Sequence, residues 1–68
     1  MRLTVNGETL ETSNAATITE LLNELRIEPR KVAVEVNLSI IKKVDYSTFR
    51  LNEGDKVEIV NFVGGGCQ

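Results

Sequence analysis

One short stretch of this chain carries a helical pattern, and segments that alternate like β-strands lie on both sides of it. Its apolar residues recur at i, i+3, i+4 and i+7, at Ile18, Leu21, Leu22 and Leu25. Thr17 and Glu20 have the spacing of a capping box at its start, and Pro29 predicts an end near residues 26–27. Because only one side of this helix is apolar, it must lie across one face of a sheet.

Five segments with strand patterns complete the order β-β-α-β-β-β. They are residues 2–5, 8–11, 31–36, 40–44 and 56–63. Asn6-Gly7 predicts a two-residue hairpin turn between the first two strands, and further turns are predicted at 37–39 and 52–55. Residues 45–51 are expected to form a loop or a single helical turn that is buried through Phe49 and Leu51.

The first and last strands are both apolar enough to be neighbours at the centre of the sheet. Together with the single helix, this order predicts an α+β protein with the β-grasp fold of ubiquitin. One main helix would pack across one face of a mixed sheet of four to five strands, with four strands if residues 40–44 are irregular. We expect residues 1–63 to form the β-grasp domain and residues 64–68 a flexible, glycine-rich tail.

The size and charge of the chain argue against several functions. A chain of 68 residues buries one small core, which leaves no room for a cleft that encloses a substrate of ordinary size. Its net charge of −2, with mixed signs, gives no basic surface for nucleic acid. Apolar runs are too short to cross a bilayer, and Met1-Arg2 leads directly into the first strand, so we expect neither a membrane span nor a signal peptide.

Reactive side chains are few. There is no histidine, and the single cysteine, Cys67, has no partner for an internal disulfide, which favours a reducing, cytoplasmic location. The usual metal sites and nucleophile–histidine pairs therefore lack their members, and we expect no metal, no bound cofactor and no enzyme activity of its own. The remaining charges are interpreted as solvated loop and edge positions, among them Lys42, Lys43, Glu53 and Asp55.

The C-terminal tail is the most informative feature for function. Gly64, Gly65 and Gly66 lack Cβ atoms, so they predict a thin arm that threads a narrow channel in a partner and presents a terminal carboxylate. They do not match the phosphate-binding loop pattern, which needs a following Lys-Ser or Lys-Thr, so a partner must supply any ATP. A frayed terminus is the alternative, but the direct junction with a patterned strand favours an arm.

The last strand predicts a docking surface beside this arm. Val57 and Ile59 share one face of the strand, and Val60 and Phe62 share the other. If Val57 and Ile59 point at the helix, Val60 and Phe62 lie on the open face, where apolar side chains indicate a partner site. Alternatively, Val60 and Phe62 only cover the sheet or close the core near the tail.

Four segments are distinctive in their order and spacing. They are the hairpin of residues 2–11, Val32-Ala33-Val34-Glu35-Val36-Asn37, Gly54-Asp55-Lys56-Val57-Glu58-Ile59-Val60 and the closing Gly65-Gly66. Together they resemble the ThiS sulfur carrier proteins of thiamine biosynthesis, over the whole chain. The related small subunit of molybdopterin synthase shares the fold and the diglycine end, but it is typically longer and often carries a proline before the tail.

The resemblance implies a carrier that a separate protein activates. In the family, an E1-like adenylyltransferase (ThiF-like) uses ATP to convert the C-terminal glycine carboxylate, here that of Gly66, to an acyl-adenylate. A sulfur donor then replaces AMP and leaves a thiocarboxylate, which a ThiG-like thiazole synthase uses for thiamine assembly. We expect the carrier to be monomeric when free and to bind neither nucleic acid nor membranes.

Cys67-Gln68 departs from the family pattern, in which the active form ends at its diglycine. While these two residues remain, Gly66 has an amide in place of a carboxylate, so we predict a precursor that is trimmed after Gly66. A JAMM-type metalloprotease performs this step in some related carriers. Two other interpretations of Cys67 stay open, a persulfide-accepting thiol and a tolerated terminal residue without a role.

Two alternatives to a role in thiamine synthesis also stay open. One is a carrier of the same chemistry that supplies sulfur for cysteine or another thio-metabolite. The other is a β-grasp binding module with an inert tail.

Overall fold

Residues 1–61, which the computed structural model describes, form five strands and one α-helix. The elements are β1 (Arg2–Val5), β2 (Glu8–Glu11), α1 (Ile18–Glu24), β3 (Val32–Val36), β4 (Ser39–Ile41) and β5 (Lys56–Asn61), with 3₁₀ turns at Pro29–Lys31 and Lys43–Asp45. The predicted boundary between domain and tail, at residues 63 and 64, lies outside the described residues.

The five strands form one mixed sheet in the order β2-β1-β5-β3-β4. β1 and β5 are parallel, whereas the pairs β1–β2, β3–β4 and β3–β5 are antiparallel. The first and last of these strands are therefore neighbours at the centre, as predicted. With α1 packed across one face, the arrangement confirms the β-grasp fold in its five-stranded form.

The core lies between α1 and the sheet. The largest fully buried side chains come from β1, α1, β3 and β5. They are Leu3, Ile18, Leu21, Leu22, Val32, Val34 and Val57. Full burial of one such side chain contributes about 1.5–3 kcal/mol before the entropy of ordering it is subtracted.

Both hairpins turn through two residues. β1 and β2 are joined by Asn6-Gly7, and β3 and β4 by Asn37-Leu38. The φ angles are 50° and 83° in the first turn and 52° and 74° in the second. A type I′ turn requires positive φ at both positions. Asn-Gly meets this requirement easily. Leu38, in contrast, adopts a positive φ that is sterically unfavourable for a residue with a Cβ atom.

α1 begins where the sequence predicts. The Oγ1 of Thr17 accepts a hydrogen bond from the backbone N–H of Glu20 at 3.2 Å, and the Glu20 carboxylate accepts one from the N–H of Thr17 at 3.2 Å. These reciprocal bonds complete the predicted capping box and satisfy donors that the first helical turn leaves unpaired.

α1 ends earlier than predicted, because a Schellman motif closes it. Arg26 adopts a φ of 60°, and its N–H donates to the carbonyl of Asn23 at 3.1 Å. The N–H of Ile27 donates to the carbonyl of Leu22 at 2.8 Å. The predicted end at residues 26–27 is therefore wrong by two to three residues; Pro29 instead begins a 3₁₀ turn, which delays β3 to Val32.

The predicted strand at residues 40–44 is present only in part. The strand β4 ends at Ile41, and the chain then enters a 3₁₀ turn. The reason is tertiary: Tyr46 is buried, and its carbonyl accepts a hydrogen bond from the N–H of Thr19 at 3.0 Å. The chain must leave the sheet edge in order to reach the start of α1.

Residues 45–51 are buried through Tyr46 and Leu51, whereas Phe49 is only partly buried. The Tyr46 hydroxyl donates to the carbonyl of Val32 at 3.4 Å. Burial raises the pKa of this hydroxyl above its usual 10.0, and a backbone hydrogen bond from Val34 opposes that rise only in part. Tyr46 is therefore a core residue that the sequence did not single out.

Candidate functional site

β5 is the strand that leads to the predicted arm, and it lies at the centre of the sheet. It pairs with β1 on one side and with β3 on the other. Its last residue, Asn61, is also the last that the structure describes. The predicted site residues beyond it, which are Phe62, Gly64, Gly65, Gly66, Cys67 and Gln68, lie outside the described residues. Their roles stay predictions, whereas the strand that precedes them is described as far as Asn61.

The alternation predicted for the last strand is present in β5. Val57 is fully buried, and Ile59 is partly buried and packs against the core. Val60 points to the open face, and 56% of its surface is exposed. Val60 therefore has the position that its predicted docking role requires, while the docking itself stays a prediction.

The open face around Val60 combines apolar and acidic side chains. In the β3–β5 register, Ala33 lies opposite Val60, and Glu35 lies opposite Glu58. Opposite residues of an antiparallel pair have Cβ atoms about 4.5–5.5 Å apart, and like charges at such positions are destabilising. Ile40, opposite Glu35 and 75% exposed, extends the face to the sheet edge.

Asn6 holds the backbone of β5 close to where the strand ends. Its Oδ1 accepts a hydrogen bond from the N–H of Ile59 at 2.7 Å, and its Nδ2 donates to the carbonyl of Ile59 at 3.2 Å. The N–H of Asn6 also donates to the carbonyl of Val57 at 2.8 Å. The first hairpin turn is thus bonded to a strand 53 residues further along the chain.

Asn37 holds the beginning of β5. Its Oδ1 accepts a hydrogen bond from the N–H of Lys56 at 3.0 Å, and its Nδ2 donates to Asp55 Oδ1 at 3.0 Å. The other oxygen of Asp55 accepts from the N–H of Asn52 at 2.8 Å. Asp55 is only 9% exposed, so its interpretation as a solvated loop residue is wrong: these bonds replace the water that a buried carboxylate loses.

The turn patterns predict that both asparagines lie in turns and do not indicate that they anchor β5. A signal was present, since each asparagine occupies the first position of a two-residue turn, where Asn tolerates positive φ. Which strand the carboxamide then faces depends on the sheet order, and the turn pattern alone does not give it.

Among the described residues, the side chains of Asn6 and Asn37 anchor β5, and Val60 is exposed on the open face. Within residues 1–61, no three or more His, Cys, Asp and Glu side chains come together as ligands for a metal ion. In the same range, no helix is both long and apolar enough to cross a membrane. What this part of the chain provides is a strand bonded near both of its ends, beside an exposed apolar and acidic face.

A family model described as the ThiS family matches residues 2–66 of this chain. The match takes in all five strands, the helix and the tail as far as Gly66, while Cys67 and Gln68 lie beyond it.

Individual proteins show the same similarity. The sulfur carrier protein ThiS of Bacillus subtilis is 40% identical over 65 residues, which are 94% of this chain and 98% of that protein. The crystal structure of the thiamine biosynthesis protein ThiS from Geobacter metallireducens gives a TM-score of 0.83 at 35% identity, covering 97% of this chain and 100% of that one. A thiazole synthase of Paramagnetospirillum magneticum is 50% identical over 66 residues, or 97% of this chain; this chain spans only 20% of that longer protein.

Proposed function

Because this chain belongs to the ThiS family, we propose that it is a sulfur carrier protein of thiamine biosynthesis. The observation that carries the proposal is the family match over residues 2–66, which spans the domain and ends at Gly66. In this role the chain is a protein co-substrate in the cytoplasm rather than an enzyme. Its reactive group is the C-terminal carboxylate of Gly66.

The carboxylate needs activation by a separate protein. A free carboxylate is a poor acyl donor because oxide is a bad leaving group, whereas AMP is a good one. A ThiF-like adenylyltransferase joins the Gly66 carboxylate to the α-phosphate of ATP, and pyrophosphate leaves. A sulfur donor then displaces AMP, and the carboxylate becomes a thiocarboxylate. In this scheme ATP and the sulfur donor are bound by the partner.

The arm that enters the adenylyltransferase consists of Gly64, Gly65 and Gly66, since side chains there would block a narrow channel. The pairing of β5 with β1 and β3 supports this use, because a strand bonded to the rest of the domain gives the arm a fixed starting point. Val60 is a proposed docking residue, together with Phe62, which strand alternation predicts for the same face.

Trimming comes before activation. Cys67 and Gln68 lie beyond the family match, and while they remain, Gly66 has an amide that ATP chemistry cannot adenylate. We therefore place a protease of the JAMM type, which would hydrolyse the bond between Gly66 and Cys67, at the start of the sequence of steps.

Thiazole synthase is the proposed acceptor of the sulfur. A relative of that name contains a region 50% identical to almost the whole of this chain. When a carrier-like region is joined to an enzyme, the effective concentration of that region at the enzyme is raised. Such a fusion is useful when the carrier and the enzyme act in consecutive steps. The Gly66 thiocarboxylate is the nucleophile that would deliver the sulfur atom.

Exchange of pyrophosphate into ATP tests the proposal. Chains that end at Gly66 and at Gln68 are each incubated with the adenylyltransferase, and only the chain that ends at Gly66 is expected to support exchange. A third chain, also ending at Gly66 but with Gly65→Val, keeps the carboxylate and is expected to lose exchange. Equal exchange with the chain ending at Gln68 would contradict the trimming step, and no exchange with either unsubstituted chain would contradict the carrier function.

A further inference from the structure

The parallel pairing of β1 and β5 stops before β5 does. The register pairs Thr4 with Lys56 and Val5 with Val57. β1 then turns away at Asn6-Gly7, whereas β5 continues to Asn61. From Ile59 onward, the side of β5 that faced β1 is therefore beyond the reach of that strand.

The carboxamide of Asn6 takes the place of the missing strand. A primary amide carries a donor and an acceptor, as a peptide unit does, and both are used on Ile59, at 3.2 Å and 2.7 Å. This adds one rung to the β1–β5 ladder without a further strand residue. The positive φ of Asn6, 50°, belongs to the type I′ turn that places this carboxamide beside β5.

The rung lies close to the arm in the sequence. Ile59 precedes the proposed reactive residue, Gly66, by only seven positions in the sequence. On its other side, β5 pairs with β3 as far as Asn61. A pair of strands on its own is marginal in water, so the bonds from Asn6 decide whether this end of β5 is held from one side or from two.

We propose that Asn6 is a positioning residue for the C-terminal arm. By fixing both backbone groups of Ile59, it holds the described end of β5, which precedes Gly66 in the sequence, and so it favours delivery of the Gly66 carboxylate to the adenylyltransferase. This inference rests on the proposed carrier function. It assigns Asn6 no contact with ATP, with the partner or with the reacting atoms.

The second hairpin provides a matched control. Asn37 also occupies the first position of a type I′ turn, with a φ of 52°, and its Oδ1 also accepts a backbone N–H of β5, that of Lys56. Glycine keeps the conformation of either turn and removes the side-chain bonds. Asn6→Gly and Asn37→Gly therefore each delete one side-chain bond to a backbone N–H of β5, at Ile59 and at Lys56 respectively. Asn6→Gly also removes the bond to the Ile59 carbonyl, and Asn37→Gly the bond to the Asp55 carboxylate.

The test compares these two variants in chains that end at Gly66, with kcat/KM for pyrophosphate exchange expressed per folded molecule. Asn6→Gly is expected to lower kcat/KM about tenfold, because misplacement of a reacting group is costly, while Asn37→Gly leaves it within about twofold of the unsubstituted chain. If Asn6→Gly folds poorly, Asn6→Asp is used. It retains the acceptor for the Ile59 N–H but has no donor for the Ile59 carbonyl, and a reduction is again expected.

A second measurement, made without the partner, separates this inference from the carrier function. Backbone amide order parameters of Val60 and Asn61 are expected to fall in Asn6→Gly and to stay unchanged in Asn37→Gly. Equal kcat/KM for the two glycine variants, or unchanged order parameters in Asn6→Gly, would overturn the role of Asn6. Failure of the unsubstituted chain in the exchange assay would contradict the carrier function alone, since the order parameters would still report on Asn6.

Discussion

Val60 lies directly opposite Ala33 in the β3–β5 register, and 56% of its surface stays exposed on the open face of the sheet. The alanine methyl group is too small to cover the isopropyl group beside it. Val60 is also the residue just before the last described position of the strand that leads to the arm. This exposed apolar side chain is the one to which the proposed docking role is assigned.

Val60→Thr is expected to weaken binding to the adenylyltransferase about tenfold, because it keeps the shape of the side chain and adds a hydroxyl that the interface would have to desolvate. The free energy of unfolding is expected to change by less than about 0.5 kcal/mol at this exposed site. Titration calorimetry with the partner and urea denaturation measure the two effects. Phe62→Ala is likewise expected to reduce binding more than stability.

Val44→Thr is the control for this docking prediction. Val44 is 80% exposed and lies in the 3₁₀ turn Lys43–Asp45, outside the sheet. The same change of a methyl to a hydroxyl is expected to leave partner binding unaltered there. Equal losses of binding in the Val44 and Val60 variants would mean that Val60 has no special part in docking.

Glu58→Gln is expected to raise the free energy of unfolding by about 0.2–1 kcal/mol, because Glu58 faces Glu35 across β5 and β3 and the substitution removes one of two like charges. The gain should shrink at high salt, which screens exposed charges. Glu11→Gln removes an exposed ion pair with Arg2 instead and is expected to give no gain. Urea denaturation at low and high salt measures these differences, and a salt-independent gain would contradict the electrostatic explanation.

Leu38→Gly is expected to stabilise the fold by about 0.5–1 kcal/mol, because Leu38 has a φ of 74° in a type I′ turn and glycine adopts this conformation without strain. The side chain is 88% exposed, so its removal sacrifices little packing. Leu38→Ala retains the Cβ atom and should change stability by less than about 0.5 kcal/mol. Thermal denaturation compares the two, and an equal gain in both variants would show that backbone strain is not the cause.

Tyr46→Phe is expected to change how stability depends on pH. Burial raises the pKa of the Tyr46 hydroxyl above 10.0, so the folded state retains this proton at pH values where the unfolded chain has lost it. The resulting stabilisation is present below the unfolded pKa and is lost as the pH rises through the folded pKa. Unfolding free energies measured at about pH 8 and about pH 11 should therefore fall more steeply for the unsubstituted chain than for the variant. Parallel curves would contradict a raised pKa.

The fold was predictable because its signals are local. The capping box at Thr17 and Glu20, the Asn6-Gly7 turn and the alternation of β5 each depend on a few neighbouring residues, and the structure contains all three. Because the helix has a single apolar stripe, it can form a core only by packing that stripe against one face of the sheet. The β-grasp arrangement follows from these features together.

The departures arise where tertiary contacts override local patterns. Arg26 adopts a left-handed conformation without being glycine, so the Schellman end of α1 left no sequence signal. The strand β4 ends early because Tyr46 has to reach α1. The hydrogen bonds of Asp55 and Asn6 depend on which strands are neighbours in the sheet. Asn37 and Asp55 are 18 residues apart in the sequence, and Asn6 and Ile59 are 53 residues apart.

The mass of the protein isolated from its own cells tests the central claim most directly. We predict a species that ends at Gly66 and in which one carboxylate oxygen is replaced by sulfur. High-resolution mass spectrometry of the intact protein, followed by fragmentation of its C-terminal peptide, locates both changes. Recovery of only the full-length chain, ending in Gln68 with an unmodified carboxylate, would contradict the carrier function and favour a β-grasp binding module with an inert tail.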